Sequence, residues 1–164
     1  MRYISLTVIA ITLLLCGCKK TNTAYNFSYR VNGTVTQGTG VTYYDNTNSV
    51  FYINLNGVAG QQASLVWNYM TSISSINNLT TTTYSIAAHQ LPPNYESASY
   101  SPPYSAAYYS TGGGVGGTIT LTKNTGAGGL MSGTFSYTAI NGSSPYDTVY
   151  ITQGTFTDVP VVSF

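Results

Sequence analysis

Charge is what this chain has least of. Its 164 residues include five Lys and Arg, four Asp and Glu and a single His. Charged side chains are 5% of the sequence, against about 25% in an ordinary globular domain. A basic stripe is therefore absent, which excludes a nucleic-acid partner held through its phosphates. His89 stands alone, which excludes a His-rich metal centre. A glycosidase needs two carboxylates facing across a cleft. Asp45, Glu96, Asp147 and Asp158 are scattered along the chain, and only Glu96 lies in a long loop beside aromatics. No Gly-x-Ser-x-Gly elbow accompanies His89. The glycine-rich stretch from Thr111 to Thr118 lacks the lysine and the following helix of a phosphate loop. Asp45-Asn46-Thr47-Asn48 offers oxygen ligands but too little charge for a good calcium site, and it reads as an Asx turn. An enzyme would have to work through Glu96 or His89 without supporting context. No catalysis, metal or cofactor is expected.

Cysteine and long apolar runs are scarce too, and the two scarcities meet at the N-terminus. The only long apolar run is Ile4 to Leu15, interrupted by Ser5, Thr7 and Thr12 and preceded by Arg2. It is shorter than the roughly 20 residues a transmembrane helix needs. A positive start, a short apolar middle and small residues at the cut make a secretory signal. The run closes on Leu15-Cys16-Gly17-Cys18, which resembles the lipobox of bacterial lipoproteins. In that motif an aliphatic residue stands three before the cysteine and a small residue directly before the cut. Cys16 fits worse, because Leu15 would then occupy the position that needs a small side chain. The resemblance implies cleavage before Cys18 and acyl chains, palmitate among them, on its sulfur. Each buried methylene adds about 0.8 kcal/mol of membrane affinity, so two or three chains hold firmly. The expected division is a signal peptide over 1–17, a lipidated tether over 18–24 and one domain over 25–164. That mature chain has no second cysteine for a disulfide, and its four basic and four acidic residues cancel.

What is plentiful is tyrosine, glycine and the small hydroxyl and amide side chains. With aromatics at 13%, disorder is excluded. Tyr25, Phe27, Tyr29 and Val31 alternate with Asn26, Ser28 and Arg30, the period of a half-buried strand. Asn32-Gly33 follows as a type I′ hairpin signal. Thr34 to Gln37 returns, with a bend or bulge expected at Gly38 and Gly40 before Val41 to Tyr44. Strands are expected over Ser49–Leu55, Ala63–Met70 and Thr82–Ala87. The stretch from Thr71 to Leu79 is left between a turn and one short helix. His89 to Pro103 reads as loop, held by two Pro-Pro pairs, and Ala106–Ser110 as an edge strand. A meander of Gly117–Lys123, Leu130–Ile140 and Asp147–Phe156 closes the chain. Its alternation slips at Gln153-Gly154, where a bulge would restore it. Together these predict an all-β fold, an antiparallel β-sandwich or flattened β-barrel of about eight or nine strands.

The segment from Asn94 to Ser110 carries Tyr95, Tyr100, Tyr104, Tyr108 and Tyr109 among prolines and small residues. Tyrosines on a loop give rigid, amphipathic contact area at low entropy cost, and sugar rings stack on their faces. These five are the candidate ligand-binding residues, for a glycan or a peptide.

Gly117-Thr-Ile-Thr-Leu-Thr122, Ser132-Gly-Thr-Phe-Ser-Tyr137 and Val149-Tyr-Ile-Thr-Gln-Gly-Thr-Phe156 resemble a family of uncharacterised Bacteroidota lipoproteins. Those proteins also open with a short strand ending in Asn-Gly or Asp-Gly. The resemblance implies outer-membrane attachment and no activity. Asp147-Thr148-Val149 is similar to the short O-glycosylation signal of that phylum. Surface display there is associated with acidic residues after the cysteine; Lys19 and Lys20 stand in that place, and periplasmic or outward orientation is left open. The expectation is a lipid-anchored outer-membrane protein with a non-enzymatic structural or binding role, whose partners are the membrane through Cys18 and a glycan or another envelope protein.

Overall fold

A computed structural model describes residues 24–68, 70, 72–86 and 96–162. The signal, Cys18, His89 and Tyr95 lie outside the described residues. Among those described, ten strands form: β1 Phe27–Val31, β2 Thr34–Asp45, β3 Val50–Gly57, β4 Gln62–Trp67, β5 Thr83–Ile86, β6 Glu96–Ser101, β7 Tyr109–Ser110, β8 Gly117–Asn124, β9 Leu130–Asn141 and β10 Ser144–Pro160. The stretch between β4 and β5 carries one short 3₁₀ segment, Ile73–Asn78, with Ile76 fully buried.

All ten strands belong to one sheet. Its pairings run in a circuit, because β10 bonds both to β9 and to β1. The circuit is not a regular barrel. Between β5 and β6 it closes through a single parallel pair, Ile86 with Glu96, and the short β7 bridges β6 to β9. Closure leaves few open strand edges, the usual liability of a sheet. The core lies inside the circuit. Phe27 and Tyr29, then Phe51, Ile53 and Leu55, then Leu65 and Trp67, then Phe135, Tyr137 and Ala139 all point into it, as their alternation predicts.

Local chemistry explains the turns. Asn32 and Gly33 have φ of 47° and 88°, the paired positive values a type I′ hairpin needs. The carboxylate of Asp45 accepts from the backbone N–H of Thr47 and Asn48, at 2.9 and 3.1 Å, and from Asn48 Nδ2 at 2.8 Å. These bonds, that of Asn48 first, hold its pKa below the usual value. The acid is committed to a turn. At the expected slip, Gln153 has a φ of 51° and the β9–β10 register shifts between Ile151 and Gly154. Phe156 is thereby turned inward while Tyr150 stays out.

Three expectations are corrected. β2 is one unbroken strand, in register with β3 from Gly38–Gly57 to Asp45–Val50. Its glycines do not bend it; they permit close approach. A Cβ on Gly38 would overlap the carbonyl of Asn56, and one on Gly40 would lie 3.0 Å from both Leu55 and Val159 side chains. The second correction is β6, which occupies part of the stretch read as loop and pairs with β4 along its whole length. Ala98 and Tyr100 face the core, and Ser97, Ser99 and Ser101 alternate with them. Serines on the outward positions conceal the strand, and the neighbouring prolines argue against it in the sequence. The edge strand expected over 106–110 shrinks to the two residues of β7.

Candidate functional site

Neighbouring strands are antiparallel except β5 and β6, so the tight turns gather at the two ends of the strands. At one end lie the Asp45–Ser49 turn, the 3₁₀ segment and the 124–130 turn. At the other lie Asn32-Gly33, the 57–62 loop, the link from β6 to β7 and the Asn141–Ser143 turn. The described chain enters at Ala24, ahead of β1, whose first residue Phe27 pairs with Gly38, itself paired with Gly57.

Folding divides the five candidate tyrosines. Tyr100 and Tyr109 are buried, with ring centroids 6.1 Å apart. Burial pushes the Tyr100 phenol up. The Tyr109 hydroxyl donates to Asp147 Oδ2 at 2.7 Å, and that bond is the main cause of its raised pKa. Both rings are parts of the core wall. Tyr104 and Tyr108 remain at the surface, 99% and 57% exposed. Tyr104 also has a φ of 54°, in the left-handed region that a bulky side chain disfavours. Backbone strain of this kind gathers where ligands bind.

Three shallow concavities adjoin these rings. The largest, about 580 Å³, lies between the 57–62 loop and the β6–β7 link, and its lining includes Asn56, Gln61, Gln62, Ser101, Pro102 and Tyr104. A second, about 240 Å³, lies on the outer face of β2, β3, β4 and β6, lined by Tyr43, Tyr52, Asn54, Gln62, Ser64, Val66, Ser99, Ser101 and Tyr108. The third, about 340 Å³, runs from Ala106 and Tyr108 to Asn141 and Ser143. Gln62 and Ser101 are shared by the first two, and Tyr108 by the last two. They form one track. Among the described residues no charged side chain lines any of them.

Sequence reasoning did not single out Tyr43 and Tyr52, whose rings stack at 4.8 Å and 7° across β2 and β3. A signal existed for Tyr52 and Asn54: if Phe51, Ile53 and Leu55 face inward, the residues between them face out.

The other candidates are not brought together. Glu96, at the start of β6, is half-buried, and burial raises its pKa. Among the described residues no three of His, Cys, Asp and Glu are placed to share a metal ion. Asp147 accepts from Tyr109 and, at 3.2 Å, from Asn141, while Thr148 is half-buried within β10. Among the described residues no helix is long and apolar enough to cross a membrane.

A family model described as a domain of unknown function (DUF6252) matches residues 70–160, more than half of the chain. No curated protein and no solved structure matches it.

Proposed function

Since the chain belongs to the DUF6252 family, a domain of unknown function, its role has to be sought in its surfaces, and we propose that it is a non-enzymatic binding module fixed to a bacterial outer membrane by a lipid on Cys18. In this reading Lys19 to Ala24 form a tether spanning at most roughly 20 Å. The tether joins the sheet ahead of β1. Tyr104 and Tyr108 are exposed and free to hold a glycan or a peptide. The observation that carries the reading is this: two exposed tyrosines, one on a strained backbone, lie beside a track that no described charged residue lines. Lys19 and Lys20 would sit beside acidic headgroups, where each basic residue adds about 1 kcal/mol of attraction.

Two measurements test it. Metabolic labelling with palmitate should mark the wild type and not Cys18→Ser, and the variant should leave the membrane fraction. Labelling of Cys18→Ser equal to wild type removes the anchor. On glycan and peptide arrays, Tyr104→Ala with Tyr108→Ala should lose the wild-type signal. An unchanged array pattern removes the binding role.

A further inference from the structure

We propose that the outer face of β2, β3, β4 and β6 is a subsite for an uncharged polysaccharide, continuous with the place of Tyr104 and Tyr108. This deepens the binding reading above and rests on it.

The register lays the outward side chains out in rows. Tyr43 pairs with Tyr52, and Tyr52 with Val66. The next row is Asn54, Ser64 and Ser99; the one after it is Asn56, Gln62 and Ser101. Neighbouring strands stand about 4.8 Å apart, and rows two residues apart are separated by about 6.7 Å. The result is a lattice of amides and hydroxyls bounded on one side by a stacked aromatic pair. Its members are already held in place: Ser64 Oγ donates to Asn54 Oδ1 at 2.6 Å, and Gln62 Nε2 to Asn56 Oδ1 at 2.9 Å. Amides so oriented keep a second donor or acceptor position for a ligand hydroxyl.

Three features select the ligand class. An acidic glycan or phosphorylated partner would need a basic side chain, and among the described residues the lining has none. A peptide adding itself as a strand would need free backbone N–H and C=O groups. Here β3 is paired on both sides, by β2 and β4, and β4 is paired by β3 and β6. Only side chains are on offer. A sugar chain suits such a surface: its hydroxyls meet amides and hydroxyls, and the apolar faces of its rings meet Tyr52, Tyr43 and Tyr108.

The test is affinity electrophoresis of the mature, full-length protein through gels containing a neutral β-glucan, a neutral α-glucan, a mannan or polygalacturonate. At least one neutral polymer should retard the wild type, equally at low and high salt, because no ion pair is involved. Tyr52→Ala and Asn54→Ala should each weaken that retardation by about tenfold, equivalent to 1.4 kcal/mol. Tyr150→Ala, which removes an exposed tyrosine on β10, should leave it unchanged, and matching melting temperatures should show that all three variants are folded. If Tyr104→Ala weakens retardation while Tyr52→Ala and Asn54→Ala do not, the reading on Tyr104 and Tyr108 stands and the sheet subsite falls. Retardation by polygalacturonate alone, retardation abolished by salt, or none by any neutral polymer overturns the proposal.

Discussion

β2 and β9 are both twelve residues long, and they use the same pleat in opposite senses. β9 sends Phe135, Tyr137 and Ala139 inward and leaves Thr134 and Ser136 outside. β2 does the reverse. Thr36, Gly38, Gly40 and Thr42 face the interior, while Val35, Val41 and Tyr43 are exposed. The reason lies in β10, which continues past the start of β1 and brings Val159 against Gly40 of β2. At Gly40 even a Cβ would lie 3.0 Å from the Val159 side chain, so that position takes no larger residue. Thr42 serves a different purpose: its hydroxyl donates to the Pro160 carbonyl at 2.9 Å and accepts from the Val162 N–H at 3.2 Å. Inward threonine thus ties a chain end, and outward apolar residues are released from packing duty onto the face that carries the stacked tyrosines.

The largest expected effect exploits the aromatic interior around β9, which β2 does not share. Tyr29, Tyr100 and Tyr137 have phenols raised by burial, and Tyr109 by its bond to Asp147. A raised folded-state pKa means the stabilisation is complete below the unfolded value, about 10 for tyrosine, and is lost as pH rises through the raised values. The fold should therefore hold up to about pH 10 and unfold cooperatively above it. Circular dichroism along an alkaline titration measures this; a smooth phenol titration with an intact fold would refute it.

Next in size is Phe135→Ala. The ring is 3% exposed and lies against Tyr29, Tyr137 and Phe156. Its removal should cost about 3–5 kcal/mol in denaturant unfolding. Thr42→Val should cost about 1 kcal/mol, because it removes both bonds of a buried hydroxyl to the partly buried strand end, while the apolar group it adds would be favoured by the hydrophobic effect alone. Its outward neighbour in β2 gives the smallest effect. Val41→Thr should stay within about 0.5 kcal/mol of wild type. If Val41→Thr were the costlier of the two, the inverted reading of β2 would be broken.

Legibility followed the same divide. The meander of β8, β9 and β10 was readable down to the slip near Gly154, because apolar residues inside and threonine outside make alternation visible. A Cβ on Gly154 would lie 2.6 Å from the Phe135 ring, so the glycine there serves close packing as well as the bulge. β6 was hidden, since Ser97, Ser99 and Ser101 look like loop and the prolines beside them reinforce the impression. The candidate site was half visible. Tyr104 and Tyr108 are exposed as a binding reading requires, whereas Tyr100 and Tyr109 are drawn into the core by strands whose pairing partners lie far away in sequence.

Local chemistry in the chain determined the all-β class, the Asn32-Gly33 hairpin, the faces of β3 and β4 and most of the closing meander, because side-chain period and turn residues act over a few positions. Only the tertiary structure decided that the sheet returns on itself, which face of β2 is buried and which tyrosines reach solvent. Those outcomes depend on contacts such as Thr42 with Pro160 and Tyr109 with Asp147, between residues far apart in the chain. No local pattern encodes which distant strand will arrive alongside.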